Sequence, residues 1–235
     1  MPHRPGSPGW PTLRLRFGGW LLLASFPLAV PGSVWPVWDF AKIEQTAEKR
    51  YASLGPTQGR IQSWSKMLQG ERDLPEQAQL NAVNRYFNQQ LEFQDDTRIW
   101  HQSDYWATPV EALIKTAGDC EDYALAKYFS LRQLGIPSDK LRITYVKALT
   151  RNQAHMVLTY YSSPGAEPLV LDNLIGDIRP ASQRKDLLPV YAFNAEGLYL
   201  PGKPGNQRSG DSKKLSRWQD VLKKMQTEGF AVGDG

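Results

Sequence analysis

Residues 116–135 have the sequence TAGDCEDYALAKYFSLRQLG and contain the only cysteine of the 235-residue chain, Cys120. Apolar residues recur after Cys120 at helical spacing, and a glycine and a proline at 135–137 end the pattern. Asp119 is a favourable N-cap residue, and Asp122 stands three positions later, as in a capping box. These features predict a helix whose first residue is Cys120.

The start of a helix is a position where a cysteine becomes reactive. Unpaired backbone N–H groups and the positive end of the helix dipole favour the thiolate over the thiol. A single cysteine can form neither an intramolecular disulfide nor a CxxC metal site. Many single cysteines are only small buried apolar residues. The helix start directly after Gly118 favours a nucleophilic role for Cys120 over that alternative.

The first 33 residues predict a secretory signal peptide. Arg14 and Arg16 precede the apolar run 17–30, and the small residues of 31–33 follow it. A basic start, an apolar core of about 7–15 residues and a small-residue exit describe such a leader. The run is shorter than the roughly 20 residues of a membrane-spanning helix. A retained N-terminal anchor is the alternative, and in both cases we expect the folded part outside the cytoplasm.

The excess positive charge of the chain lies in this predicted leader. The sequence has 28 basic and 24 acidic residues, a formal net charge of +4. Residues 1–33 contain three arginines and no acid, which leaves 25 basic and 24 acidic side chains elsewhere. Nucleic-acid binding therefore has no support from composition. The length and the hydrophobic content of 41% fit one domain, which we place at 34–235.

The order of predicted elements is helices first and strands second. Capped or amphipathic segments predict helices at 41–54, 59–70, 76–93, 110–115 and 215–228. Alternating segments with many β-branched and aromatic residues predict strands at 141–149, 154–161, 168–174, 188–194 and 198–200. Residues 95–109 are expected to be irregular, and the glycine-rich 201–212 to be a mobile loop. The order predicts an α+β fold with an antiparallel sheet.

A cysteine nucleophile needs a histidine and a third group that orients the imidazole. His3 lies in the predicted leader, His101 in a predicted loop, and His155 near the start of a predicted strand. His155 follows Cys120 by 35 residues, and Asp172 follows His155 by 17, at the end of the next strand. Residues near the ends of paired strands can lie side by side. We therefore expect all three side chains to meet, although each alone is also explained as a structural residue.

Several blocks of sequence around these residues resemble the bacterial transglutaminase-like cysteine proteinases. The blocks are Trp106-Ala-Thr-Pro-Val-Glu111, Gly118-Asp-Cys-Glu-Asp-Tyr-Ala124, Leu134-Gly135, Ala154-His-Met-Val-Leu158 and Val170-Leu-Asp-Asn173. The resemblance covers roughly residues 36–200. The block around the cysteine, together with the upstream Trp-Ala-Thr-Pro, is the specific part of the pattern.

The resemblance implies a papain-like fold of the transglutaminase type. It assigns Cys120 as nucleophile, His155 as general base and acid, and Asp172 as the orienting carboxylate. It also implies a periplasmic endopeptidase that cuts a large surface adhesin near its N-terminus, after a pair of alanines, and so controls biofilm attachment. Such proteases are held inactive by an inner-membrane cyclic di-GMP receptor of LapD type, which is therefore the expected partner.

Three acids surround the cysteine and oppose its ionisation. The charges of Asp119, Glu121 and Asp122 raise the pKa of a neighbouring thiol. Capping and the helix dipole account for one or two such acids. Carboxylates without further histidine or cysteine ligands also suit calcium. The resemblance favours calcium, since the family members it points to are calcium-dependent with acids matching these three as ligands.

Two further points stay open at the level of sequence. The oxyanion of an acyl transfer reaction needs hydrogen-bond donors. The Cys120 backbone N–H is one, and a side-chain donor is expected among Trp100, His101, Gln102 and Trp106. The alternatives to a protease are a transglutaminase or amidase of the same fold, and a non-catalytic module that holds a partner in its groove.

Overall fold

Seven α-helices and nine β-strands make up the described part of the chain. The computed structural model describes residues 37–51, 54–201 and 208–232, with 1, 3 and 6 as isolated residues. The helices are α1 Phe40–Tyr51, α2 Pro56–Glu71, α3 Glu76–Gln90, α4 Asp96–Ile99, α5 Pro109–Lys115, α6 Cys120–Gln133 and α7 Ser216–Thr227. The strands are β1 Glu92–Phe93, β2 Ala117–Gly118, β3 Leu141–Ala148, β4 Gln153–Tyr160, β5 Leu169–Leu171, β6 Arg179–Pro180, β7 Leu187–Phe193, β8 Leu198–Tyr199 and β9 Arg208–Gly210.

The chain divides into two units, residues 1–33 and 34–235. The predicted signal peptide forms the first unit, which lies outside the described residues except for positions 1, 3 and 6. In the second unit six helices precede the main sheet and one follows it, so the α+β class is confirmed. None of the helices that the structure describes has the length and apolar character needed to cross a membrane.

The N-terminal helices pack around Trp64. The apolar stripe of α2 turns Ile61, Trp64 and Leu68 into the interior, where they are almost fully buried. The Trp64 ring contacts the rings of Trp38, Phe40, Phe87 and Phe230. Its Nε1 donates a hydrogen bond of 2.9 Å to the Ser130 hydroxyl of α6. Trp64 therefore joins the helical layer to the central helix.

Several helix boundaries differ from the predicted ones by one to three residues, and two of the differences have a clear physical reason. Helix α2 begins at Pro56 because Gly55 adopts a φ of 47° and the proline occupies the first helical position. Helix α3 ends at Gln90, because Leu91 is extended and the next two residues form a strand. The segment 95–109, predicted to be irregular, contains the single-turn helix α4.

A short parallel ladder between β1 and β2 sets the position of α6. The Glu92 N–H donates to Thr116 O at 2.9 Å, and the Gln94 N–H donates to Gly118 O at 3.1 Å. Asp119 follows the ladder directly, and α6 begins at the next residue, Cys120. The ladder thus ties the start of the cysteine helix to the chain that leaves α3.

Helix α6 is the centre of the fold and is buried on nearly every side. It packs against β4 and β3 on one side and against α3 on another. The main sheet has the order β6-β5-β4-β3-β7-β8-β9, and every neighbouring pair is antiparallel. Because Leu158 of β4 pairs with Leu171 of β5, the following residue, Asp172, emerges beside β4.

The C-terminal helix α7 is joined to the chain just upstream of α6. Trp218 is fully buried and stacks on Phe129 of α6 with ring centroids 5.5 Å apart. The Lys224 ammonium lies 2.9 Å from Glu111 Oε2. The Thr108 hydroxyl donates to Glu228 Oε1 at 2.9 Å. These bonds connect α7 to the N-terminal turn of α5.

The glycine-rich segment 201–212 differs from the predicted loop where it is described. Residues 208–210 form β9, which pairs with β8. Residues 202–207 lie outside the described part of the chain. The paired backbone therefore reaches to within a few residues of α7.

Trp64→Ala tests the role of this tryptophan in joining the two layers. We expect the free energy of unfolding to fall by about 3–5 kcal/mol, because a buried ring and a buried hydrogen bond are lost together. Urea unfolding followed by circular dichroism measures the change. Leu74→Ala is the control, since Leu74 is 45% exposed and its loss should cost less than about 0.5 kcal/mol. Equal effects of the two substitutions would contradict the assignment of Trp64 to the core.

Candidate active site

The start of α6 is fixed by a carboxylate that bonds to two backbone groups. Asp122 is 1% exposed. Its Oδ1 accepts from the Ala107 N–H at 2.7 Å and its Oδ2 from the Asp119 N–H at 3.3 Å. A Cβ at Gly118 would come within 2.8 Å of the Asp122 Cβ, so only glycine fits there. The predicted capping relation between Asp119 and Asp122 is present and also holds the chain at Ala107.

Cys120 is the first residue of α6 and is partly buried. Its thiol donates to Glu121 Oε2 at 3.0 Å. Burial, the neighbouring charges of Glu121 and Asp119, and the hydrogen bond to Glu121 raise the thiol pKa above its usual range. A hydrogen bond from the Met156 backbone acts in the opposite direction. Helix α6 packs against β4, the strand that contains His155.

His155 and Asp172 form a buried hydrogen-bonded pair. His155 Nε2 lies 2.8 Å from Asp172 Oδ1, and the two side chains are 5% and 0% exposed. Because an ionised carboxylate only accepts hydrogen bonds, Nε2 donates to Asp172, and in the neutral ring Nδ1 keeps its lone pair. An imidazole in this arrangement can accept a proton at Nδ1 from a neighbouring group.

The Asp172 carboxylate has partners on both oxygens. The Leu174 N–H donates to Oδ1 at 3.0 Å, and Arg184 Nη2 donates to Oδ2 at 2.7 Å. Burial by itself raises the pKa of Asp172, but the bonds from His155, Leu174 and Arg184 outweigh it and lower the pKa to about 2. Asp172 is therefore ionised throughout the physiological range. No motif marks Arg184, which lies in a polar run 12 residues after the aspartate.

Cys120 and His155 line one cleft of about 500 Å³. Trp106 forms part of its wall, and so does the pair Tyr145 and Tyr191, whose rings stack with centroids 5.1 Å apart. Phe93, which is 44% exposed, also lines the cleft. The cleft therefore gives the sulfur and the imidazole one common space.

The four residues proposed as oxyanion donors occupy different positions. Trp106 lines the cleft with Cys120. Gln102 lines a neighbouring pocket, and His101 is exposed at a φ of 56°. The Trp100 Nε1 is buried and has no hydrogen-bond partner. Of the four, Trp106 alone lines the cleft that contains Cys120.

Five carboxylates cluster beside the helix start. Within the described residues, oxygens of Asp96, Asp104 and Glu121 lie within 4.8 Å of one another, and so do oxygens of Asp96, Asp119 and Asp122. A third group brings Asp119 and Glu121 together with the Cys120 sulfur. The three acids expected as ligands, Asp119, Glu121 and Asp122, are therefore spread over three overlapping groups, two of which share Asp96. Asp96 and Asp104 were not predicted. The only signal for them was the density of acids in 95–104.

The cluster contains carboxylate oxygens that no protein group satisfies. Oδ1 of Asp96, of Asp104 and of Asp119 are buried without a hydrogen-bond partner. Burial and the charges of Glu121 and Asp122 raise the pKa of Asp119 to about 10, and burial with the charge of Glu121 raises that of Asp96 to about 6. Converging, unpartnered carboxylate oxygens of this kind are the ligands that calcium prefers. The residues therefore fit a hard divalent cation.

The chain was compared with known families and structures. Residues 61–186 match the family model described as bacterial transglutaminase-like cysteine proteinase BTLCP. The chain belongs to this family. The match includes the cysteine, histidine and aspartate described above, so the recognition made from the sequence blocks is confirmed. A comparison with curated proteins finds no match.

Solved structures of LapG from Legionella pneumophila are similar over most of the chain. One is 44% identical with a TM-score of 0.70 and covers 81% of this chain and 99% of LapG. The EGTA-treated form is 44% identical with a TM-score of 0.71 and the same coverage. The calcium-bound form is 43% identical with a TM-score of 0.67, covering 78% of this chain and 98% of that one. The predicted transglutaminase-like fold is thereby confirmed.

Asp172→Asn tests the ionised state of the buried aspartate. Because its folded pKa of about 2 lies below the unfolded value of about 4, its charge stabilises the fold above pH 4 and the contribution is lost as the pH falls through 2. We expect Asn to lower the free energy of unfolding by at least about 2–3 kcal/mol at pH 7. The difference in the free energy of unfolding between wild type and Asp172→Asn should shrink by that amount between pH 4 and pH 2, because Asp172 of wild type becomes protonated there.

Urea unfolding at pH 7, 4 and 2.5 measures this difference. Asp177→Asn is the matched control, because the Asp177 side chain is 82% exposed and its loss should change stability by less than about 0.5 kcal/mol at each pH. A gap between Asp172→Asn and wild type that does not vary with pH would contradict the assignment.

Proposed function

We propose that the chain is a calcium-dependent cysteine endopeptidase with Cys120, His155 and Asp172 as its catalytic triad. The observation that carries the proposal is the buried bond of 2.8 Å between His155 and Asp172, beside the helix start that presents Cys120 to the same cleft. Membership of the cysteine proteinase family supports the reaction class. The residue roles are those expected from the sequence.

The reaction starts at the sulfur of Cys120. His155 Nδ1 takes the thiol proton, and the thiolate attacks the carbonyl carbon of the scissile peptide bond. The Cys120 N–H has no partner inside its helix and can donate to the developing oxyanion. The imidazolium then gives its proton to the leaving amine as the C–N bond breaks. A thioester of Cys120 with the N-terminal product remains.

Water completes the cycle through the same imidazole. His155 takes a proton from water, the hydroxide attacks the thioester, and the sulfur leaves and regains a proton from His155. Asp172 stays ionised, keeps the His155 ring in one tautomer and stabilises the imidazolium. An amine in place of water would give the transglutaminase outcome.

The acid cluster supports calcium binding by this chain. Asp96, Asp104, Asp119 and Glu121 would hold the ion, with Asp122 fixing the backbone around it. A bound divalent cation would neutralise the carboxylates that raise the thiol pKa. A calcium-bound structure of LapG from Legionella pneumophila supports calcium as the ligand of the present chain as well.

The substrate and the partner follow from the resemblance to LapG. We propose a large surface adhesin as substrate, cut in its N-terminal region, and an inner-membrane cyclic di-GMP receptor of LapD type as the inhibitory partner. The predicted leader of 1–33 supports a periplasmic location. The exposed Phe93 at the cleft rim offers an apolar contact to either macromolecule.

The central test incubates the purified protein with the N-terminal fragment of the adhesin from its own organism, and mass spectrometry identifies the products. We expect two fragments from wild type and a loss of at least about 10³-fold with Cys120→Ala, because the nucleophile is removed. Excess chelator should abolish cleavage by wild type. Crosslinked or aminated product instead of fragments would establish a transglutaminase.

A substrate-free assay separates the enzyme from a binding module. We expect iodoacetamide to label Cys120 of the calcium-loaded protein faster than it labels a free thiol at the same pH. Labelling no faster than a free thiol, together with an intact adhesin fragment, would favour a non-catalytic module.

Isothermal titration with calcium tests the ligand set. We expect binding by wild type and an increase in Kd of about 10–100-fold for Asp104→Asn and Asp119→Asn, since each removes a charged ligand. Asp177→Asn is the control and should bind as wild type does. Absence of heat, with full activity in excess chelator, would overturn the calcium proposal.

A further inference from the structure

Arg184 lies directly behind the His155–Asp172 pair and is 2% exposed. Its Nη2 donates to Asp172 Oδ2 at 2.7 Å. The same Nη2 also donates to Asp186 Oδ2 at 2.8 Å, and Nε donates to Asp186 Oδ1 at 3.0 Å. The guanidinium therefore bridges two carboxylates, one buried and one near the surface. The catalytic steps derived above do not use it.

The Asp172 carboxylate can rotate only if these bonds break. Oδ1 is held by His155 and by the Leu174 N–H, and Oδ2 is held by Arg184. The carboxylate plane sets the direction of the bond to His155 Nε2. It therefore also sets where Nδ1 of the same ring points.

We propose that Arg184 is a positioning residue for the catalytic pair, which orients the Asp172 carboxylate and so holds the His155 imidazole in one tautomer facing Cys120. In this hydrogen-bonded series, Asp186 fixes the orientation of Arg184, Arg184 that of Asp172, and Asp172 that of His155. This inference rests on the proposed function, because it assigns Arg184 to the triad of that reaction.

Lysine could not replace Arg184 in this geometry. The planar guanidinium reaches Asp172 and Asp186 with separate N–H groups in fixed directions, whereas an ammonium is a point charge on a flexible stem. Asp186 accepts hydrogen bonds from Nε and Nη2 and so restricts rotation of the guanidinium. A guanidinium fixed in this way also fixes the direction of its bond to Asp172, whose carboxylate contacts His155.

Charged groups reach the pair from each element packed against it. Arg184 and Asp186 come from the segment before β7, and Lys127 and Cys120 come from α6, with Glu121 next to the sulfur. Lys127 is 1% exposed, its ammonium has no hydrogen-bond partner, and burial lowers its pKa to about 7. Arg184 keeps its charge at every physiological pH and is therefore the constant cation behind Asp172.

Arg184→Met removes the charge and the fork while it keeps an apolar stem. We expect kcat for the adhesin fragment to fall about 10–100-fold with KM changed less than about twofold, because the imidazole loses its orientation while the cleft is intact. The titration midpoint of His155 should rise by about 1 pH unit, since a nearby positive charge no longer opposes the imidazolium. Arg184→Lys should keep the midpoint near that of wild type but lose part of kcat.

Proton NMR of the calcium-loaded Cys120→Ser protein gives the midpoint without any substrate. The chain has three histidines, of which His3 and His101 are exposed, and His101→Gln and His3→Gln assign their signals. The matched control is Arg142→Met. Arg142 is also buried, at 6% exposed, but stacks on Tyr161 and Tyr199 away from the triad. It should lower stability and leave the His155 midpoint unchanged.

The outcomes separate the positioning role from a purely structural one. A folded Arg184→Met variant with wild-type kcat and an unchanged His155 midpoint would overturn the proposal. If Arg184→Met does not fold, Arg184→Lys and Asp186→Asn decide it: we expect a several-fold loss of kcat in each, and wild-type kcat in both would overturn it. Failure of the proposed function has another signature, since wild type itself would then not cleave the fragment.

Discussion

The site depends on one buried carboxylate, that of Asp122. By accepting hydrogen bonds from the backbone at Asp119 and at Ala107, it joins the first turn of the cysteine helix to the chain that forms the wall of the cleft. A buried carboxyl group with backbone partners on both oxygens is costly to disturb, because either N–H would be left unsatisfied. A side chain at position 118 would collide with Asp122, so the arrangement requires glycine there. These contacts fix the first turn of α6 and, with it, the position of Cys120.

The two halves of the site have opposite electrostatics. On the helix side, acids surround the sulfur and keep it a thiol. On the sheet side, Asp172 lies among His155 and Arg184, and its carboxylate is ionised at any physiological pH. The imidazole is therefore oriented by protein groups alone, whereas the acids oppose ionisation of the thiol. A positive charge bound by these acids would relieve that opposition without contacting His155 or Asp172.

Local signals in the sequence were enough to predict most helices and strands and to pick out Cys120, His155 and Asp172 as candidate site residues. The cap at Asp119, the helix after Cys120 and the alternating strands around His155 are short-range patterns, and the structure has them. The sequence blocks shared with a known family predicted how these elements are arranged in the fold. What could not be predicted depends on contacts between distant segments. Pairing of residue 92 with 117 ended α3 early, and Asp96, Asp104 and Arg184 reach the site only through the folded chain, with no motif of their own.

The attachment of α7 makes the cleft sensitive to truncation. Leu215, Ser216 and Arg217 line the cleft, and Glu228 accepts a hydrogen bond from the Thr108 hydroxyl at the start of α5. A chain cut before Leu215 would lack part of the cleft wall and this support for the turn, although Cys120, His155 and Asp172 would all be present. An intact α7 therefore decides whether the cleft is complete.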